Sequence, residues 1–117
     1  MIRRAFIMKL KPDSLATYKK HHDEIWGELV AEIEKSGIAE ITIFENDPVL
    51  VLYSVISNVE AWDRLWHSEV HDRWGVLMNP LMEFNSEGIV NSTELREVFH
   101  LETKAGSIPA SGNQTHL

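Results

Sequence analysis

Apolar and polar positions alternate over residues 3–10, with Phe6, Met8 and Leu10 on one side and Ala5 and Ile7 on the other, which predicts a β-strand. Lys11-Pro12-Asp13-Ser14 then makes a turn and supplies an N-cap at Asp13 or Ser14. From Leu15 the period becomes helical. Leu15, Tyr18, His22, Ile25, Trp26, Leu29 and Ile33 fall in one stripe about 100° wide, predicting a single amphipathic helix that ends at Ser36-Gly37. Residues 38–45 alternate again, with Ile41 and Ile43 opposed to Thr42 and Phe44, and Asn46-Asp47-Pro48 is turn chemistry. The apolar run 49–56 predicts a central strand covered on both faces and paired with 38–45 as a hairpin.

Ser57-Asn-Val-Glu60 has the spacing of a capping box. It opens a helical segment carrying Trp62, Leu65 and Trp66, then Val70, Trp74, Leu77 and Leu81 after a break near Ser68, with Pro80 limiting the second piece. Residues 83–92 have the composition of a loop, and 94–101 predict a last strand with Leu95, Phe99 and Leu101 in its pattern. The order strand, helix, strand, strand, helix, strand is that of an α+β, ferredoxin-like βαββαβ fold: a four-stranded antiparallel sheet with its helices on one face. One domain spans 1–102, and 103–117, rich in Gly, Ser, Asn and Gln, is a flexible C-terminal tail. Ala5, Ile7 and one side of 49–56 would face outward from the open side of the sheet. That favours a homodimer packed sheet to sheet as a dimeric α/β barrel.

Composition narrows the function classes. Lys and Arg number 11 against 18 Asp and Glu, a net charge of −7 with no basic run, so nucleic acid is not an expected partner. The absence of cysteine removes disulfides, Cys-ligated zinc and thiol nucleophiles. No apolar run approaches the roughly 20 residues of a membrane span, and the start is too short in apolar residues for a signal peptide. The expectation is a cytoplasmic protein with no membrane partner.

The stripe holds one residue that does not belong with apolar neighbours. His22 lies one turn after Tyr18 and one turn before Trp26, and a buried polar ring is costly unless partnered. It is either a packed ring satisfied by backbone or by the Tyr18 hydroxyl, or a general acid/base in a pocket between helix and sheet. His67 and His71, four apart with Glu69 and Asp72 nearby, have metal-pair spacing but no third ligand; a solvated polar face near the helix break explains them, and no metal site is expected. The four tryptophans serve the core or stack on a sugar ring, and pattern does not decide which. There is no Gly-rich phosphate loop, no Gly-x-Ser-x-Gly elbow and no carboxylate pair of the glycosidase kind.

A set of ordered residues carries a resemblance: Met1-Ile-Arg-Arg-Ala-Phe-Ile-Met8, Pro12-Asp13, Tyr18, His22, Ile25-Trp26, Glu28-Leu29, the Ser36-Gly37 neighbourhood, Arg73-Trp74, Met78 and Glu94-Leu95-x-Glu97-Val98-Phe99. Together they resemble the L-rhamnose mutarotase family from residue 1 to about 101. The resemblance implies a ferredoxin-like homodimer and an isomerase that interconverts the α and β anomers of a 6-deoxy-hexose, with a monosaccharide substrate and no metal or organic cofactor. It implies that His22 is the catalytic histidine, that Tyr18 contacts the sugar, and that Trp74 stacks on it. Where the family usually has a second tryptophan this chain has Gly75, and where it often has a tyrosine in the second strand this chain has Ile41. A proline common after Ile-Trp is Gly27 here. These departures bear on the identity of the sugar, L-rhamnose or a related pyranose such as L-fucose, more than on the chemistry. Two other classes stay open: a small ferredoxin-like monooxygenase or haem-binding enzyme, and a non-catalytic sugar-binding descendant.

Overall fold

The computed structural model describes residues 1–84 and 92–107. The strands are β1 (Ile2–Lys9), β2 (Ile38–Asn46), β3 (Val49–Ile56) and β4 (Ser92–Leu95), and the helices are α1 (Leu15–Asp23), α2 (Gly27–Ser36), α3 (Ala61–Trp66) and α4 (Glu69–Met78). The strands form one antiparallel sheet in the order β2-β3-β1-β4. This is the ferredoxin-like arrangement, with β3 and β1 central. Alternation sets the faces: Leu10, Leu50 and Ile56 are fully buried against the helices, while Phe44 is 61% exposed on the opposite side. Burying such a side chain stabilises by ~1.5–3 kcal/mol. Ser54, also fully buried, avoids a penalty because its hydroxyl donates to the Arg4 carbonyl (2.9 Å) and accepts from Trp62 Nε1 (3.0 Å).

Three elements differ from the sequence expectation. The single helix over 15–36 is two helices. α1 ends at Asp23, and Trp26 takes an extended conformation (φ −68°, ψ 137°) before α2 restarts at Gly27. The turn between them is closed by Glu24 N–H to Lys20 O and Ile25 N–H to His22 O. The extended backbone at Trp26 brings its indole edge-on to Trp74, 5.3 Å between centroids, a tertiary contact with α4 that lies outside the local pattern of 15–36. Ile25, counted in the stripe, is left 37% exposed.

Ser57 is not the cap of α3, which begins after Glu60 with no side-chain cap. The Ser57 backbone N–H (2.8 Å) and hydroxyl (3.0 Å) instead both donate to the Gly37 carbonyl, and Asn58 Oδ1 accepts from Glu60 N–H. Gly37 holds the left-handed position that ends α2 (φ 101°). A Cβ there would lie 2.7 Å from Ser57 Oγ, so the site demands glycine both by conformation and by space. The break before α4 does fall at Ser68, whose hydroxyl accepts from His71 N–H.

The last strand is Ser92–Leu95 rather than 94–101. It pairs with Met8–Ala5 and leaves the sheet where Arg3 and Arg4 form bidentate ion pairs with Glu97 and Glu94. Beyond it Val98, Phe99 and Leu101 are 94, 77 and 67% exposed, with none of the described residues covering these apolar side chains. The expected loop at 83–92 lies largely outside the described residues, as does most of the expected tail, of which Lys104–Ser107 form a 3₁₀ turn.

Candidate functional site

Between the helices and the β2–β3 side of the sheet lies a cavity of about 820 Å³. That is a size suited to a small molecule, within the ~300–1,000 Å³ of such sites. Its wall is mostly apolar, with polar groups confined to a few positions. All five residues singled out from the sequence, Tyr18, His22, Ile41, Trp74 and Gly75, lie on this wall.

Helical spacing places the central pair. Tyr18 and His22 are four apart on α1 and their rings stack at 4.2 Å with 32° between planes. Trp74, from α4, meets the edge of His22 at 5.3 Å and 85° and is in turn buttressed by Trp26. Arg73 secures that buttress: its guanidinium lies 5.7 Å from the Trp26 ring centre and makes two hydrogen bonds to the Glu28 carboxylate, tying α4 to α2.

His22 Nδ1 lies 2.8 Å from the Tyr18 carbonyl oxygen. A carbonyl only accepts, so Nδ1 carries the hydrogen and Nε2 of the neutral ring is a free lone pair. Burial pushes the His22 pKa below its ordinary 6.5; the carbonyl contact and Asp23 oppose that, and His21 adds to it. The ring is therefore a neutral base at pH 7. Burial pushes the Tyr18 phenol up to about 12, so it remains a hydrogen-bond donor at any working pH. Lys19 and Asp23, paired at 2.8 Å, sit at the exposed rim.

The neighbouring histidines separate. His67 is exposed, its Nδ1 bonded to the Asp63 carbonyl. His71, which the sequence reading put on the same solvated face, instead lines the cavity half-buried with its ring 4.4 Å from Trp66. The signal was present: His71 precedes Trp74 by three residues and Gly75 by four, one face of one helix. Among the described residues no cluster of three or more His, Asp or Glu is placed to hold a metal ion.

Residues 3–101 match the family model for L-rhamnose mutarotase. The chain belongs to the L-rhamnose mutarotase family. It is 38% identical over 104 residues to the L-rhamnose mutarotase of Oceanobacillus iheyensis, covering 87% of this chain and all of that one. It is likewise 38% identical over 103 residues to that of Tolumonas auensis, covering 86% and 99%. The crystal structure of an L-rhamnose mutarotase from Formosa agariphila superimposes with a TM-score of 0.75 at 30% identity, covering 87% of this chain and 100% of that one. An antibiotic biosynthesis monooxygenase matches with a TM-score of 0.57 at 15% identity over 84% and 99% of the two chains, which shows the shared fold alone. As a member of the mutarotase family the chain is an anomer-interconverting isomerase acting on a carbohydrate. Among the described residues no helix is long and apolar enough to cross a membrane.

Proposed function

We propose that this cavity binds L-rhamnose and opens and recloses its pyranose ring with His22 as the proton carrier. The observation that supports this most is the bond from Nδ1 to the Tyr18 carbonyl, which leaves a basic Nε2 on a ring lining an apolar cavity. Ring opening requires that O1 lose a proton and O5 gain one. Both oxygens are bonded to C1, so a nitrogen that takes the O1 proton as the C1–O5 bond breaks and passes it to O5 balances the step. Rotation about C1–C2 presents the other aldehyde face. The same transfers in reverse then form the second anomer, with the imidazole returned to its starting state. Acid–base help of this kind contributes roughly 10²–10⁴-fold. Tyr18 serves as a donor to the sugar and a stacking support for His22, and Trp74 supplies an apolar face for the C–H side of the ring. Ile41 and Gly75 set the width of the cavity.

The working unit in this proposal is a homodimer. Phe44 on the open face of the sheet and Val98, Phe99 and Leu101 beyond β4 expose apolar surface that a second copy would cover. Residues 1–102 are its domain and 103–117 an appendage, its setting is the cytoplasm, and the net charge of −7 argues against nucleic acid as a partner. The decisive test is anomer exchange by NMR. Saturation of the α-anomeric proton of L-rhamnose should transfer to β faster with wild type, and His22→Ala should lose the acceleration while keeping the near-ultraviolet circular dichroism of a folded protein. Undiminished exchange in that variant refutes the role of His22. Sedimentation of the wild-type protein as a monomer refutes the dimer.

A further inference from the structure

His71, Gly75 and Asn79 follow one another at intervals of four residues, from α4 into the turn of 3₁₀ helix that follows it (Asn79–Leu81), and all three line the cavity. They form a polar row beside the apolar row of Trp74 and Met78. Gly75 has no side chain, and a Cβ built on it would meet only the Asn79 carboxamide, at 3.7 and 3.8 Å. A notch therefore opens over Gly75, with the Asn79 amide at one end and the His71 ring one turn away at the other. The His71 ring rests on Trp66 at 4.4 Å, and neither its ring nitrogens nor the Asn79 carboxamide makes a hydrogen bond within the described residues.

The groups at this notch define what it suits. A neutral imidazole offers one donor and one acceptor, and a carboxamide offers both as well. Burial holds His71 below its ordinary pKa, so the ring is neutral at pH 7 and presents no charge to an anion or a cation. Hydroxyl groups, which donate and accept together, match that pair. A methyl group would leave four hydrogen-bonding functions unused. His22, from α1, and this row, from α4 and the turn after it, line one cavity, so a sugar whose anomeric carbon meets His22 has its other ring positions left for α4.

We propose that His71 and Asn79, separated by the notch at Gly75, bind neighbouring hydroxyls of the pyranose remote from its anomeric carbon and so contribute to the choice of sugar. This rests on the mutarotase reading of the same cavity.

The test compares His71→Phe, His71→Gln and Asn79→Leu with wild type in the NMR exchange assay. His71→Phe keeps a ring against Trp66 and removes both nitrogens. It should raise KM for L-rhamnose roughly three- to tenfold, the loss of one neutral hydrogen bond, with kcat within about twofold. Asn79→Leu should do the same, and His71→Gln, which restores a donor and an acceptor, should recover part of the affinity. KM within twofold of wild type in both His71→Phe and Asn79→Leu overturns the subsite, as does a fall in kcat at unchanged KM. If His71→Phe loses its fold by near-ultraviolet circular dichroism, His71→Gln and Asn79→Leu carry the test. Exchange in wild type with unchanged KM in the variants defeats the subsite alone. Absence of exchange in wild type defeats the mutarotase reading, and the subsite is then judged by tryptophan fluorescence titration with L-rhamnose. Weaker binding by His71→Phe than by wild type supports it, and equal or undetectable binding by both overturns it.

Discussion

Trp74 couples the packing of this protein to its chemistry, so Trp74→Ala should change both in a way that can be calculated separately. The indole is 7% exposed and makes two edge-to-face contacts, with His22 and Trp26, each at 5.3 Å. A buried tryptophan cut to alanine costs ~3–5 kcal/mol, with each aromatic pair contributing ~0.5–1.5 kcal/mol of it. One side of Trp74 borders the cavity, where water can fill the space left behind, so the lower end, about 3 kcal/mol, applies. For a domain of this size 1 kcal/mol moves the melting temperature by ~4–8 °C, which predicts a fall of about 12 °C or more by circular dichroism. The second effect is electrostatic. Burial is the largest cause of the depressed His22 pKa, and removing the indole admits water to the ring while the Nδ1 bond to the Tyr18 carbonyl survives. The titration midpoint of His22, followed by the Cε1 proton in NMR, should therefore rise toward 6.5. Trp74→Phe should give a smaller shift in the same direction. A midpoint that stays put or falls, in a folded variant, would refute the argument that this wall desolvates the base.

For wild type, kcat/KM for anomer exchange should rise with pH along a single limb whose midpoint lies below 6.5, falling about tenfold per unit on the acid side, because the neutral form of His22 is the active one. It should then stay level to at least pH 9, since Tyr18 ionises only near 12; a midpoint above 6.5, or a loss of activity between pH 7 and 9, contradicts the assignment. Gly37→Ala should cost about 1–3 kcal/mol in urea denaturation, from a left-handed φ of 101° together with a Cβ 2.7 Å from Ser57 Oγ, and an unchanged midpoint would show that the Gly37–Ser57 junction gives way easily. Removing residues 104–117 should leave exchange and melting temperature as in wild type; a drop in either would make the tail part of the folded unit.

Local pattern was sufficient for most of the architecture. Alternation over 3–10 and 38–45 set the faces of two strands, because a period of two decides which side chains point inward whatever they later touch. The apolar run 49–56 marked the central strand paired with the second of them. Spacing of four on α1 likewise determined that Tyr18 and His22 share one wall. What depended on distant partners was not legible. The break at Trp26 is stabilised by Trp74, nearly fifty residues away, and the Ser57 hydroxyl went to the Gly37 carbonyl rather than to its own helix. The apolar pattern of 94–101 was real but, among the described residues, only Ser92–Leu95 pair, because β1 offers that edge a register and no described residue covers those beyond it. His71 shows the same division. Its place on the Trp74–Gly75 face of α4 follows from spacing alone, but whether that face met solvent or a cavity depended on how α4 packs across the sheet. The tautomer of His22, by contrast, is decided within α1 but only by its side-chain conformation: the residue type permits either nitrogen to carry the proton, and the Tyr18 carbonyl one turn back, at 2.8 Å, chooses Nδ1.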